Sequence, residues 1–177
     1  MIRVLTFSRV FPSYHPRAGE PTYFVEKIWN SICWDNGIPE QQFPIPYHIG
    51  IDFRNTDEKK NHTIRAGHRW KAGDWFSPRV WSDKPYRSKQ IAFAPDIEVK
   101  KVWNFDIRFE DVDRSFNVIL NGINIYYEGP HGLGGSDKIN WIPANDGLSN
   151  TDFFDWFKWP NHEFSGQIIC WNESINY

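Results

Sequence analysis

Residues 105–127 constrain the fold more than any other stretch of the chain. Phe105, Ile107 and Phe109 alternate with polar neighbours, Phe116, Val118 and Leu120 alternate into Asn121-Gly122, and Ile123, Ile125 and Tyr127 alternate out of it. A period of two gives a strand one apolar and one polar face. Asn121-Gly122 separates the last two runs, and that dipeptide tolerates the positive φ angles a two-residue hairpin turn requires. The stretch predicts an antiparallel meander, half-buried on one side, that other elements must cover.

Composition indicates what covers it. The 177 residues include ten Trp, fourteen Phe, seven Tyr and nineteen Ile, but only four Leu and one Met. Aromatic and β-branched residues favour strands, whereas Leu, Met and Ala favour helices. Further strands are expected at His62–Arg65, Trp75–Trp81, Ile91–Phe93, Ile97–Trp103 and Ile168–Trp171. One helix should begin near Pro21, carry Phe24, Val25, Ile28, Trp29 and Ile32 on one face, and stop at Gly37-Ile38-Pro39. A second should follow Asp146-Gly147-Leu148. Ser149 and Asp152 have capping-box spacing there, Phe153, Phe154, Trp156 and Phe157 form an apolar face, and Pro160 ends the helix. Pro44 to Lys60 reads as a long loop and Gly129 to Gly135 as a flexible one. No repeat or linker divides the chain. The expected fold is a single α+β domain over residues 1–177, a small β-barrel with two flanking helices.

Several classes of chemistry are absent from the pattern. No apolar run approaches the roughly 20 residues that span a bilayer. Met1 to Arg9 lacks the apolar core of a secretory leader, so the cytoplasm is the expected location. Cys33 and Cys170 read as two buried free thiols. No pair among the six His has the spacing of a zinc helix motif. Gly129–Gly135 lacks the Gly-Lys-Ser/Thr ending of a phosphate loop, and Glu110–Asp113 lacks the Gly and Glu spacing of a calcium loop. No metal or cofactor is expected.

The net charge of −2 conceals a division. Ten Lys and Arg but only four Asp and Glu lie between Arg54 and Gln90, a local +6 against −8 elsewhere. A concentrated basic segment on an acidic chain is the footprint of an anionic partner such as RNA. Trp70, Trp75, Trp81 and Tyr86 interleave with Arg69, Lys71, Arg79, Lys84, Arg87 and Lys89. Rings can stack on bases while cations neutralise phosphates. The same rings could instead fill the core, with the cations as its solvated cover.

Lys60-Asn61-His62-Thr63-Ile64-Arg65 is the densest chemical candidate. In a strand, Thr63 and Arg65 share one face and Ile64 takes the other. Lys60 joins Thr63 only if the strand begins after a turn near Asn61. A Thr hydroxyl is a weak nucleophile until a base takes its proton, and a Lys can be that base when burial or a nearby cation lowers its pKa. Arg65 could be that cation, or could anchor a substrate phosphate or carbonyl. Spacing alone does not separate this chemistry from a surface Lys beside a sheet Thr.

This hexapeptide, followed by Trp70-Lys71-Ala72-Gly73-Asp74, resembles the central signature of ASCH domains, relatives of the PUA-like β-barrels. Thr6–Phe11 resembles that family's first strand, and the helix Pro21 to Cys33 follows it. Asp146–Ser149, the helix Phe153 to Phe157 and the strand Gly166 to Trp171 resemble its C-terminal elements. Residues about 80 to 140 form an extended insert relative to the minimal members. Some small bacterial ASCH proteins are amidohydrolases that remove the acetyl group from N4-acetylcytidine with a Lys, a Thr and a Glu. The resemblance implies catalytic roles for Lys60, Thr63 and Asp146, with Asp in place of Glu. The shorter side chain would need a closer backbone to reach Lys60. Arg65, Arg69, Trp70 and Trp81 are the expected substrate-binding residues. A nucleoside or RNA is the expected partner. Other ASCH and PUA-like domains bind RNA or modified bases without catalysis, and a protein-interaction domain with a vestigial pocket is a third reading.

Overall fold

The computed structural model describes residues 2–35, 56–110, 115–129, 132–135, 137–158 and 163–177. They form an α+β arrangement of ten strands and three helices. Strand β1 (Ile2–Thr6) leads to helix α1 (Phe24–Asp35). Strands β2 (His62–Ala66), β3 (Trp75–Trp81), β4 (Gln90–Ala92) and β5 (Ile97–Glu98) follow. The long β6 (Lys101–Glu110), β7 (Ser115–Leu120), β8 (Ile123–Gly129) and β9 (Gly132–Gly135) make the meander. Helices α2 (Lys138–Asn145) and α3 (Asn150–Lys158) precede the closing strand β10 (Glu163–Cys170).

The strands form two sheets. One has β1 parallel to β3, with β4 and β5 antiparallel to β3. The other runs β2-β10-β6-β7-β8-β9, antiparallel throughout. Among the described residues the two sheets remain open and do not close into a barrel. Where β2 nears the end of β1, a side chain bridges them: Arg65 Nη2 donates to the Thr6 carbonyl at 2.7 Å.

Strand β10 has apolar packing on both faces. Ile168 joins Phe105, Ile107, Val118, Phe153 and Phe157 under α2 and α3. Ile169 joins Leu5, Phe7, Ile28, Trp29, Phe76 and Phe93 under α1. A strand with two buried faces needs a continuous apolar run, which Ile168-Ile169-Cys170 supplies. Most of the aromatic excess is thus core. Cys170 is a free, buried thiol whose pKa burial raises to about 11; the Cys33 side chain lies outside the described residues.

The Asn121-Gly122 hairpin forms as its sequence predicts, with φ of 49° and 80°. Other elements differ. Helix α1 starts at Phe24, with Pro21 instead bridging Val10. The stop at Gly37–Pro39, the loop over 44–55 and the end at Pro160 lie outside the described residues. Among the described residues helix α2 brings the helix count to three, one more than expected. Its interior Pro143 reads as a breaker, yet Ile139, Ile142 and Pro143 are buried, and their packing offsets the lost hydrogen bond. Part of the glycine-rich loop is strand β9. A Cβ at Gly135 would lie 2.5 Å from Tyr126 Cδ2, so glycine permits that close pairing.

Candidate functional site

Lys60 and Asn61 precede β2 and escape its alternation. The Lys60 amide donates to the Lys27 carbonyl of α1 at 2.9 Å, and the Asn61 amide to the Asn145 carbonyl of α2 at 2.8 Å. These two bonds pin the entry to β2 between the helices. Lys60 consequently lines the same cavity as Thr63 despite its parity.

Asp146 caps the C-terminal end of α2. Lys60 Nζ donates to its Oδ1 at 2.6 Å and to its backbone carbonyl at 2.5 Å. The ammonium also sits 4.2 Å from the centroid of the Phe24 ring. A cation suits the negative end of a helix. Gly147 allows the close approach: its φ is +73°, and a Cβ there would meet Lys60 Cβ at 3.3 Å and Lys27 Cδ at 3.1 Å. The nearer backbone that an Asp needs in place of a Glu is therefore present.

Burial perturbs this pair. Lys60 is 1% exposed and Asp146 6%. Desolvation lowers the Lys60 pKa to about 8, against the attraction of Asp146, while Arg65 and Lys27 push it further down. Desolvation likewise raises the Asp146 carboxyl above its ordinary value, against Lys60. Both shifts favour the uncharged forms.

The cavity encloses about 280 Å³. Thr63, Ile64 and Arg65 line it from β2, with Thr6, Phe7 and Ser8 from the end of β1. Trp156 and Phe157 of α3 form another wall, and Trp81 and Tyr86 complete it. The Arg65 guanidinium stacks 5.1 Å from the Phe7 centroid, and its buried Nε makes no hydrogen bond. Tyr86 is 88% exposed, with φ of 62°, and its ring lies 5.4 Å from that of Trp81. Lys84 and Arg87 flank it in the exposed turn.

Register determines where the β2 main chain points. Trp171 N–H donates to the Asn61 carbonyl and Gly67 N–H to the Ser165 carbonyl. Hydrogen-bonded pairs alternate along an antiparallel ladder, so Thr63 and Arg65 bond to β10. The N–H and C=O of Ile64 then face the side of β2 away from β10.

The structure brings Lys60, Thr63, Arg65, Trp81 and Asp146 to one cavity and leaves two expected binding residues out of it. Trp70 packs beside Phe76 in the core under α1, held by Gln167, which accepts from its amide and donates to its carbonyl. Arg69 is exposed away from the cavity lining, its carbonyl taken by Arg3. Phe24, Trp156 and Phe157 fall outside the expected set; at helical spacing they are indistinguishable from core positions. Among the described residues, no group of three His, Cys, Asp or Glu is placed to hold a metal ion, and no helix is long and apolar enough to cross a membrane. No family model matches the chain, and neither a curated protein nor a solved structure matches it.

The arrangement has a definite chemical capacity. A neutral amine has two N–H bonds and one lone pair. If both hydrogens go to the two Asp146 oxygens, the lone pair is left to accept a proton. Such a group is a general base poised near neutral pH.

Proposed function

We propose that the chain is an ASCH-like domain, related to the PUA-like barrels, that recognises a nucleobase or nucleoside and hydrolyses the amide of an acylated cytidine such as N4-acetylcytidine. The observation that carries this reading is the buried Lys60–Asp146 pair in a cavity that Thr63 also lines. The two open sheets, bridged by Arg65 beside the cavity, would be the two walls of the family's barrel.

Neutral Lys60 takes the Thr63 hydroxyl proton as Oγ attacks the acetyl carbonyl. The outward N–H of Ile64 is available to the developing oxyanion, as the residue following a nucleophile is in other hydrolases. The C–N bond breaks, the amine leaves with the proton from Lys60, and the acetyl group stays on Thr63 as an ester. Water, deprotonated by Lys60, hydrolyses that ester to acetate and regenerates the hydroxyl. Arg65 holds a polar edge of the base and Trp81 offers it a stacking face.

The test is acetate release from N4-acetylcytidine, abolished by Thr63→Ala or Lys60→Ala. No turnover by folded protein at high concentration would remove the hydrolase reading. A second reading, a non-catalytic RNA or modified-base binder, is favoured by the Trp81–Tyr86 pair beside Lys84 and Arg87. It predicts a salt-dependent RNA affinity that weakens when Lys84 or Arg87 is neutralised. A flat salt response in wild type and variants would count against it.

A further inference from the structure

Beside Asp146 lies a second buried polar group that the proposed mechanism does not use. The His62 ring is 0% exposed, and its Nε2 lies 3.8 Å from Asp146 Oδ1, too far for a hydrogen bond, with the Ile142 backbone also beside the ring. Its Nδ1 is 2.9 Å from the Tyr177 hydroxyl. Which ring nitrogen carries the proton depends on who donates in that contact.

A chain of directional hydrogen bonds leads to it. An indole N–H only donates, and Trp171 Nε1 donates to Ser31 Oγ at 3.1 Å. The Ser31 hydroxyl passes its own hydrogen to Asn61 Oδ1 at 2.8 Å, where Asn172 Nδ2 also donates at 3.2 Å. Asn61 Nδ2 donates to Asn145 Oδ1 at 2.9 Å. That leaves the Asn145 amide nitrogen to meet the Tyr177 hydroxyl, with which its side chain is hydrogen-bonded. A hydroxyl that accepts from Asn145 keeps its own hydrogen for a neighbour, and His62 Nδ1 at 2.9 Å is the acceptor beside it. With that bond the ring hydrogen sits on Nε2, which has Asp146 Oδ1 at 3.8 Å, and the Ile142 backbone also borders the ring.

We propose that His62 is a positioning residue for Asp146, a neutral Nε2–H tautomer that steadies the carboxylate gripping Lys60. Its part in turnover rests on the hydrolase reading of the cavity. When Lys60 is neutral, the carboxylate loses its counter-cation, and this N–H is the donor beside it that can compensate. Burial, with Lys60 nearby, holds the ring neutral.

Two measurements test this. In substrate-free, nitrogen-15-labelled protein, the His62 ring should show hydrogen on Nε2 and a bare Nδ1, and Tyr177→Phe should let the other tautomer appear. A wild-type ring protonated on Nδ1, or on both nitrogens at neutral pH, overturns the assignment. In acetate-release assays, His62→Asn should lower kcat roughly tenfold, as loss of an outer partner does, with KM unchanged. His62→Gln, whose amide reaches the Nε2 position, should restore most of it. Equal loss in both folded variants, or loss in neither, overturns the positioning role. Because the ring spectrum needs no substrate, absence of turnover in the wild type would sink the hydrolase reading and leave the tautomer to stand or fall separately.

Discussion

Asp146 follows α2 and Asp152, six residues on, lies in the first turn of α3, and the two corners differ in one respect. Both carboxylates are largely buried and each holds a cation. Asp152 accepts from Arg17 Nη1 at 2.8 Å and from Ser149 Oγ at 2.9 Å, while Ser149 Oγ caps the Asp152 amide at 3.1 Å. The Arg17 side chain is 44% exposed, whereas that of Lys60 is 1% exposed. A cation that keeps its water makes a fastening of modest strength, about 0–1 kcal/mol. A cation stripped of water is pushed toward its neutral form, and removing its partner leaves an uncompensated buried charge. One corner ties α3 to the loop before α1; the other is a tuned acid–base pair beside a cavity.

Catalysis should separate the corners most widely. Thr63→Ala and Lys60→Met are each expected to lower acetate release by about 10³-fold, within the range assigned to general-base catalysis. Next is the pH dependence of stability. A Lys whose folded pKa is depressed binds its proton more weakly in the native state, so its penalty is full below the folded value and fades as pH rises toward the unfolded one. Urea titrations should show wild type gaining on Lys60→Met from about pH 8 toward the unfolded value of 10.5. The gain should approach about 3 kcal/mol; the comparison below that window also carries Asp146, whose carboxyl rises further once Lys60 is removed. Comparison with the variant cancels Cys170 and Tyr177, whose raised pKa values act in the opposite direction. Asp146→Asn should then cost about 10²-fold in turnover, while Asp152→Asn leaves turnover within about twofold. Equal losses would break the distinction between the corners. The smallest effect is expected for Ser149→Ala, a loss of about 1 kcal/mol of stability as a missing helix cap, with activity unchanged.

What could be read in the chain was local. Alternation around Asn121-Gly122 determines the hairpin because turn chemistry and strand period agree. Ser149 and Asp152 mark the start of α3 because a cap is a contact three residues long. The Lys60-to-Arg65 run holds four of the cavity residues within one hexapeptide. What stayed hidden depends on distant partners. Helix α2 exists because Ile139 and Ile142 are buried under the large sheet, which outweighs Pro143. Trp70 looks like a stacking platform among its cations until Gln167, far along the chain, draws it into the core. The contact of Tyr177 with His62 spans 115 positions, and no local pattern records it.

The most direct test is to look for the acetyl group on the protein. N4-acetylcytidine mixed with a large amount of enzyme, quenched within the first turnover and digested, should yield an acetylated peptide carrying the modification on Thr63. The adduct should be absent from Lys60→Met and should decay in step with acetate release. Full acetate release by Thr63→Ala, or wild-type turnover with the acetyl group never on Thr63 at any quench time, would contradict the account.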